Sequence, residues 1–430
     1  MVADAPSRFA PNAPASEHSV PERSDEEACL VAFARLLSTY GTPAHRVETA
    51  LGALARQWGL SASFFATPTS VFAAIEYGNR VSTRLVRIEP GDVDLNKLVL
   101  LDEALSDAVA GRADARTARA RLREIDAETP LYGPTPMIAA FALVGVAGAR
   151  FFGGGWREMA VAAMIAAVVG VVAVVGGRVG RFARVTDFLA GLGASALAVL
   201  AARGAAAGQM GAVDPALLML AGLIVLLPGM TIAMAVSELA MRHVVAGSAR
   251  LTGAAVGLLA MGFGAAIGAN SAAFVADSLG WGAINTASVH LPGWTLLAAL
   301  AVTPIGLAVV FRARLREALL FGVVGTTGFF VARFGSETVG PELGAFIGAV
   351  AVGVLSSLHS RVFRRPMALT TMPGLLLLVP GSIGFRSVRS FMEQDALSGV
   401  QAGFQVVMIA VAIVMGLLLV SAAMPPRRLL

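Results

Sequence analysis

Residues 215–237 read PALLMLAGLIVLLPGMTIAMAVS, an apolar run with no ionised side chain, interrupted in its interior by Pro228-Gly229. Crossing a hydrocarbon core about 30 Å thick takes about 20 helical residues, so the run is long enough to span a membrane. Proline removes one helical hydrogen bond and clashes with the carbonyl four residues back, here Ile224. Glycine tolerates the unwound backbone that follows. Inside a bilayer such freed backbone groups persist only where they line a cavity or bind something. The stretch therefore predicts a membrane helix broken in mid-span.

The same device returns at residues 367–384, MALTTMPGLLLLVPGSIG, with its break at Pro380-Gly381. Gly247 follows Pro228 at the distance at which Gly399 follows Pro380, and a long apolar segment comes next in both places. Arg157-Glu158, opening the second apolar segment, returns as Arg316-Glu317 at the seventh. The apolar segments lie at about 134–150, 159–176, 187–202, 215–237, 252–275, 292–311, 317–332, 339–358, 367–384 and 402–424. These spacings predict a mainly α, polytopic membrane protein of about ten spans, built as two five-helix repeats (133–276 and 277–430). Five is odd, so the halves face opposite ways, and such inverted repeats place a binding site at their interface near the midplane.

Composition agrees. Of 430 residues 56% are apolar and 14% charged, and the mean hydropathy is +0.74. Residues 1–132 hold 14 of the 33 Lys+Arg and 18 of the 28 Asp+Glu, which leaves 19 and 10 for residues 133–430. A water-soluble enzyme and a single-anchor receptor are excluded. Residues 1–25, rich in Pro, Ala and Ser, read as a disordered tail with no apolar core of a signal peptide. Residues 26–132 read as a small α+β cytosolic module. It has two helices on either side of Tyr40-Gly41-Thr42-Pro43, strands over Ser61–Ile75 and Thr83–Ile88, and two charged amphipathic helices at Asp92–Ala110 and Asp114–Ile125. With the N-terminus in the cytoplasm, 13 loop and terminal arginines lie inside and six outside, which puts both termini on the cytoplasmic face. The basic membrane half points to anionic lipid contact, not to nucleic acid. The lone cysteine, Cys29, excludes a disulfide framework, and five scattered histidines make no metal constellation. No phosphate-binding loop, dinucleotide fingerprint or zinc-protease motif occurs, so neither cofactor nor metal nor catalytic residues are expected.

The expected substrate-binding residues surround the two breaks: Pro228, Gly229 and Thr231, then Pro380, Gly381 and Ser382. A broken helix offers free carbonyls on one side and N–H groups on the other, which suits a zwitterion. Asn270, in the fifth span, reads equally as a substrate ligand or an interhelical hydrogen bond. Glu238 and Asp187 are the candidate proton carriers. Each has a plainer reading, a solvated helix end for Glu238 and an interfacial ion pair for Asp187. Arg386 and Arg389, after the second break, read as an anion lure or an interfacial anchor. Gly253/Gly257, Gly264/Gly268 and Gly340/Gly344/Gly348 read as faces for close helix packing. In the module, Arg46 and Glu48 stand two apart and so point in different directions. Each is expected to contact another part of the module or the basic loop Arg178–Arg184.

GTPAHRVE (41–48), FATPT (65–69, with Thr67 and Pro68) and TRLVRI (83–88) resemble the cytosolic front of the threonine/serine exporter family. Leu227-Pro228-Gly229, Met372-Pro373-Gly374 and Val379-Pro380-Gly381 resemble its two membrane halves. The resemblance covers about residues 28–424. It implies a ten-span bacterial inner-membrane exporter of threonine and serine driven by the proton gradient. Relatives split over two chains are associated with dicarboxylate export, which makes a succinate-like substrate the alternative. The tail here is short for the family. The partners expected are a small-molecule substrate, membrane lipid and, in a homo-oligomer, further copies of the chain.

Overall fold

The computed structural model describes residues 25–77, 80–89, 91–208, 212–282, 291–378 and 396–424. The tail expected over residues 1–25 lies outside them but for Asp25, as do Pro380, Gly381, Ser382, Arg386 and Arg389.

The module opens with helices α1 (Asp25–Thr39) and α2 (Ala44–Gln57). Leu30, Phe33 and Leu37 of α1 meet Val47, Leu51 and Leu54 of α2 in a fully buried core. Gly41 turns the chain between them at φ +94°, where a Cβ would also crowd Val93. Strands β1 (Ser61–Thr67), β2 (Ser70–Tyr77) and β3 (Arg80–Arg87) form an antiparallel meander. The single strand expected over Ser61–Ile75 is in fact a hairpin. Pro68 lacks a ladder donor, and the backbone N–H of Ser70 donates to Thr67 Oγ1 at 3.1 Å to close the turn. Helices α3 (Leu95–Val109) and α4 (Ala115–Ala127) begin where Asp94 and Asp114 accept the N–H of Lys97 and Thr117 at 2.9 and 2.8 Å.

The membrane domain comprises α5 (Pro134–Phe151), α6 (Trp156–Arg178), the short α7 (Gly180–Ala183), α8 (Thr186–Ala207), α9 (Pro215–Leu223), α10 (Gly229–Ala240), α11 (Val244–Ser278), α12 (Trp294–Val310), α13 (Ala318–Val339), α14 (Pro341–Phe363), α15 (Ala368–Leu376) and α16 (Ala396–Ala423). Seven of these are long and apolar enough to cross a bilayer: α5, α6, α8, α11, α13 (counted with its leading turn from Leu315), α14 and α16. The chain is a multi-pass membrane protein. Among the described residues the count is below the expected ten because three segments are short: α9 and α10 divide one run between them, α12 stops at Val310, and α15 ends at Leu376.

Helix α8 lies on α11 with backbones nearly touching. A Cβ at Gly191 would collide with the carbonyl of Met261, and one at Gly264 or Gly268 with those of Phe188 and Leu192. At the end away from the module Arg203 pairs with Asp277, and the rings of Trp156 and Trp294 sit 6.0 Å apart. At the module end three helices finish in arginines with left-handed backbone: Arg242 (φ 65°), Arg312 (φ 51°) and Arg364 (φ 52°).

Candidate functional site

The break at Pro228 is real. Helix α9 stops at Leu223, and α10 starts at Gly229 with Pro228 as its N-cap (φ −76°, ψ 36°). Across the gap the N–H of Gly229 donates to the Leu227 carbonyl at 2.7 Å. Helix α10 then runs toward the module, and one of its faces (Met230, Ala233, Met234, Ser237, Met241, at helical spacing) borders a cavity of about 370 Å³.

The opposite walls come from distant parts of the chain. Thr42, His45, Arg46 and Thr49 enter from the start of α2. Met367, Thr371 and Met372 enter from α15 and the residue before it, and Leu417 and Ser421 from the last turns of α16. The described lining is mostly apolar, with five methionines, several hydroxyls and one guanidinium. Thr49 Oγ1 donates to the His45 carbonyl (2.7 Å) and Thr371 Oγ1 to that of Met367 (2.9 Å), so both oxygens keep lone pairs to accept.

The module is fixed over this cavity by a polar junction. Glu238, 0% exposed, takes the Ala44 N–H at 2.9 Å and Arg250 Nε at 3.0 Å. Glu48 accepts the N–H of Ala66 at 2.8 Å, within the module, and lies 3.5 Å from His243 Nδ1. The rings of His45 and His243 are 6.0 Å apart. Burial, aided by Arg46 and His243, pushes the His45 pKa down to about 4, so this imidazole is neutral at ordinary pH. Farther along, Arg312 pairs with Asp92 (2.8 Å), Arg314 with Asn96 (3.1 Å) and Arg365 with Glu103 (2.8 Å). The N–H of Leu95 donates to the Phe311 carbonyl at 2.9 Å.

Several expected site residues stand elsewhere. Thr231 follows Met230 by one residue, about 100° round the helix, and is outside the cavity lining. Asn270 is on the exposed face of α11, because Gly264 and Gly268 commit the other face to α8. Glu238 is no solvated helix end; the module covers it. Asp187 forms no hydrogen bond or ion pair among the described residues. It lies against Gly257, where a Cβ would stand 3.0 Å from Oδ2. Of the two partners expected for Glu48, it takes the one within the module, the N–H of Ala66, and it also faces His243 between α10 and α11, not the loop Arg178–Arg184. Thr67 and Pro68 shape a hairpin.

Other residues were missed. The Met230/Met234/Ser237/Met241 face was legible as a helical stripe after the break. Thr371, Ser421, His45 and His243 carried no local signal, since only the fold brings them to the junction.

Profiles of the threonine/serine exporter (ThrE) family match residues 28–271 and 296–423. Among curated proteins, an uncharacterized protein of Schizosaccharomyces pombe is 25% identical over 82% of this chain and 43% of its own length. Pheromone-regulated membrane protein 10 is 24% identical in Eremothecium gossypii (87% of this chain, 50% of that protein) and 25% in Saccharomyces cerevisiae (88% and 48%). The chain spans half or less of the length of these relatives. No solved structure matches it. With two family profiles covering most of its length, the chain belongs to the threonine/serine exporter family.

Proposed function

We propose that the protein is a secondary exporter of small hydroxy amino acids that binds its substrate in the cavity beside the first broken helix. The observation that carries this reading is the cavity itself, walled by α10, α15, α16 and the start of α2. Its volume lies within the usual range of small-ligand pockets, about 300–1,000 Å³. Hydroxyls of Ser237, Thr371 and Ser421 suit the hydroxyl of serine or threonine, and the adaptable methionines suit threonine's methyl group.

Ten spans in two inverted halves belong to the same proposal, and the packing supports it. Helix α8 packs on α11 as α14 packs on α16, and α6 on α9 as α13 on α15. Helix α10, assigned to the first half, touches α15 and α16, assigned to the second, which supports a cavity between the halves such as alternating access uses. In this scheme Pro228, Gly229, Pro380, Gly381 and Ser382 supply the broken backbone, and both termini face the cytoplasm of a bacterial inner membrane.

Proton coupling, on this reading, runs through Asp187 in preference to Glu238. Asp187 has no partner among the described residues, whereas Glu238 is already held by Arg250 and the Ala44 N–H. Succinate is the second reading. A dicarboxylate calls for two cations, and among the described lining residues Arg46 is the one cation.

Counterflow of labelled threonine, serine and succinate in vesicles holding the purified protein tests the function. Threonine or serine counterflow supports it, and succinate counterflow alone replaces it with the second reading. Asp187→Asn should abolish accumulation driven by a pH gradient while sparing exchange of substrate for substrate. Gradient-driven accumulation by that variant at the wild-type rate would return the proton to Glu238.

A further inference from the structure

At the junction between module and membrane domain four arginines are matched to acceptors. Arg250 holds Glu238, Arg312 holds Asp92, Arg314 holds Asn96 and Arg365 holds Glu103. The side chain of Arg46, half-buried at the start of α2, makes no hydrogen bond or ion pair with any described residue, yet it lines the cavity. Two acids of the junction are already engaged. Glu48 is bound to Ala66 N and faces His243, and Glu238 is bound to Arg250 and Ala44 N. His45 beside it is neutral. Among the described lining residues none carries negative charge.

Among the described residues nothing compensates this cation, which stands in an apolar setting. A guanidinium stays charged even when buried, and its fork of donors matches a carboxylate in two parallel bonds. Leaving it unpaired is costly unless a ligand supplies the anion. We infer that Arg46 is the carboxylate ligand of the transport site, so that the soluble module contributes a substrate-binding residue to the membrane cavity. Specificity for one carboxylate then comes from one cation, and lifting the module away would remove that cation from the substrate. The identity of the substrate rests on the exporter reading above; the need for an anion does not.

The test is titration calorimetry on the purified full-length protein with threonine, threoninamide, lactate and succinate. Threoninamide keeps the hydroxyl and ammonium and lacks the carboxylate. Wild type should bind threonine and not threoninamide. Arg46→Met should weaken threonine by about tenfold or more, the worth of a charge-assisted hydrogen bond. Arg46→Lys, a point charge without the fork, should fall between them and serves where the methionine variant does not fold. Equal binding of threonine and its amide by wild type would overturn the assignment. So would threonine affinity in a folded Arg46→Met protein within about twofold of wild type, or the failure of every carboxylate to bind. Binding of lactate or succinate through Arg46 without any amino acid would uphold the assignment and defeat the hydroxy-amino-acid reading instead.

Discussion

The backbone N–H of Ala44 donates to the carboxylate of Glu238 at 2.9 Å, joining residues 194 apart in sequence. Ala44 is the first residue of α2, whose N-cap, Pro43, offers no side-chain cap. A carboxylate from the membrane domain therefore does the work that an aspartate or serine does at most helix starts, and the dipole of α2 favours its charge.

Removing that carboxylate should release the module. Glu238→Ala leaves the guanidinium of Arg250, largely buried at 18% exposed, without its partner. Losing one member of a buried pair costs about 3–5 kcal/mol. We expect a lower melting temperature and faster proteolysis in the connection between α4 and α5. Wild-type protection in this variant would mean that the Arg312, Arg314 and Arg365 contacts hold the module unaided.

The pH dependence follows from His45. Its pKa is about 4 in the folded protein against an ordinary 6.5, so between these values the unfolded chain binds the extra proton. Stability is then complete above about pH 6.5 and is lost as pH falls toward about 4. Thermal melts across this window should show the decline, and His45→Gln should flatten it. An unchanged slope in the variant would assign the effect to other groups.

Pro228→Ala with Gly229→Ala should let α9 and α10 join into one regular helix, because the missing donor and the ring clash are both removed. Membrane insertion should be intact and counterflow lost. Transport at the wild-type rate by the folded double variant would show that the break plays no part in the site.

Glycine substitutions should separate by location on α11. At Gly264 a methyl group meets the backbone of Phe188, which has nowhere to move, whereas at Gly253 nothing lies within 4 Å. Gly264→Ala should destabilise by about 1–3 kcal/mol through overpacking. Gly253→Ala should be neutral or stabilising by up to about 1 kcal/mol, since alanine is the better helix former. Melting temperatures of the two purified variants check the contrast.

Local chemistry was enough to read the broken helix, the polytopic character and the helices of the module. Pro228-Gly229 stops a helix whatever surrounds it, Asp94 and Asp114 cap their own helices within three residues, and apolar runs declare their length. Steric and capping effects of this kind act within one turn and are written in adjacent residues. The candidate site was only half legible in the same way. The sequence singled out Arg46, Glu48 and Glu238, but Arg46-Val47-Glu48 does not say that one side chain enters a cavity while the other turns back to Ala66. It also does not say that Glu238, ten residues past the proline, is covered by a helix start 194 positions earlier. Asn270 shows the opposite case: a polar residue in a span invites a binding role, and packing of Gly264 and Gly268 on α8 turns it to the outside. Burial and charge pairing are sums over neighbours that the chain brings from far away. Which ionised groups are satisfied was therefore decided only by the tertiary structure.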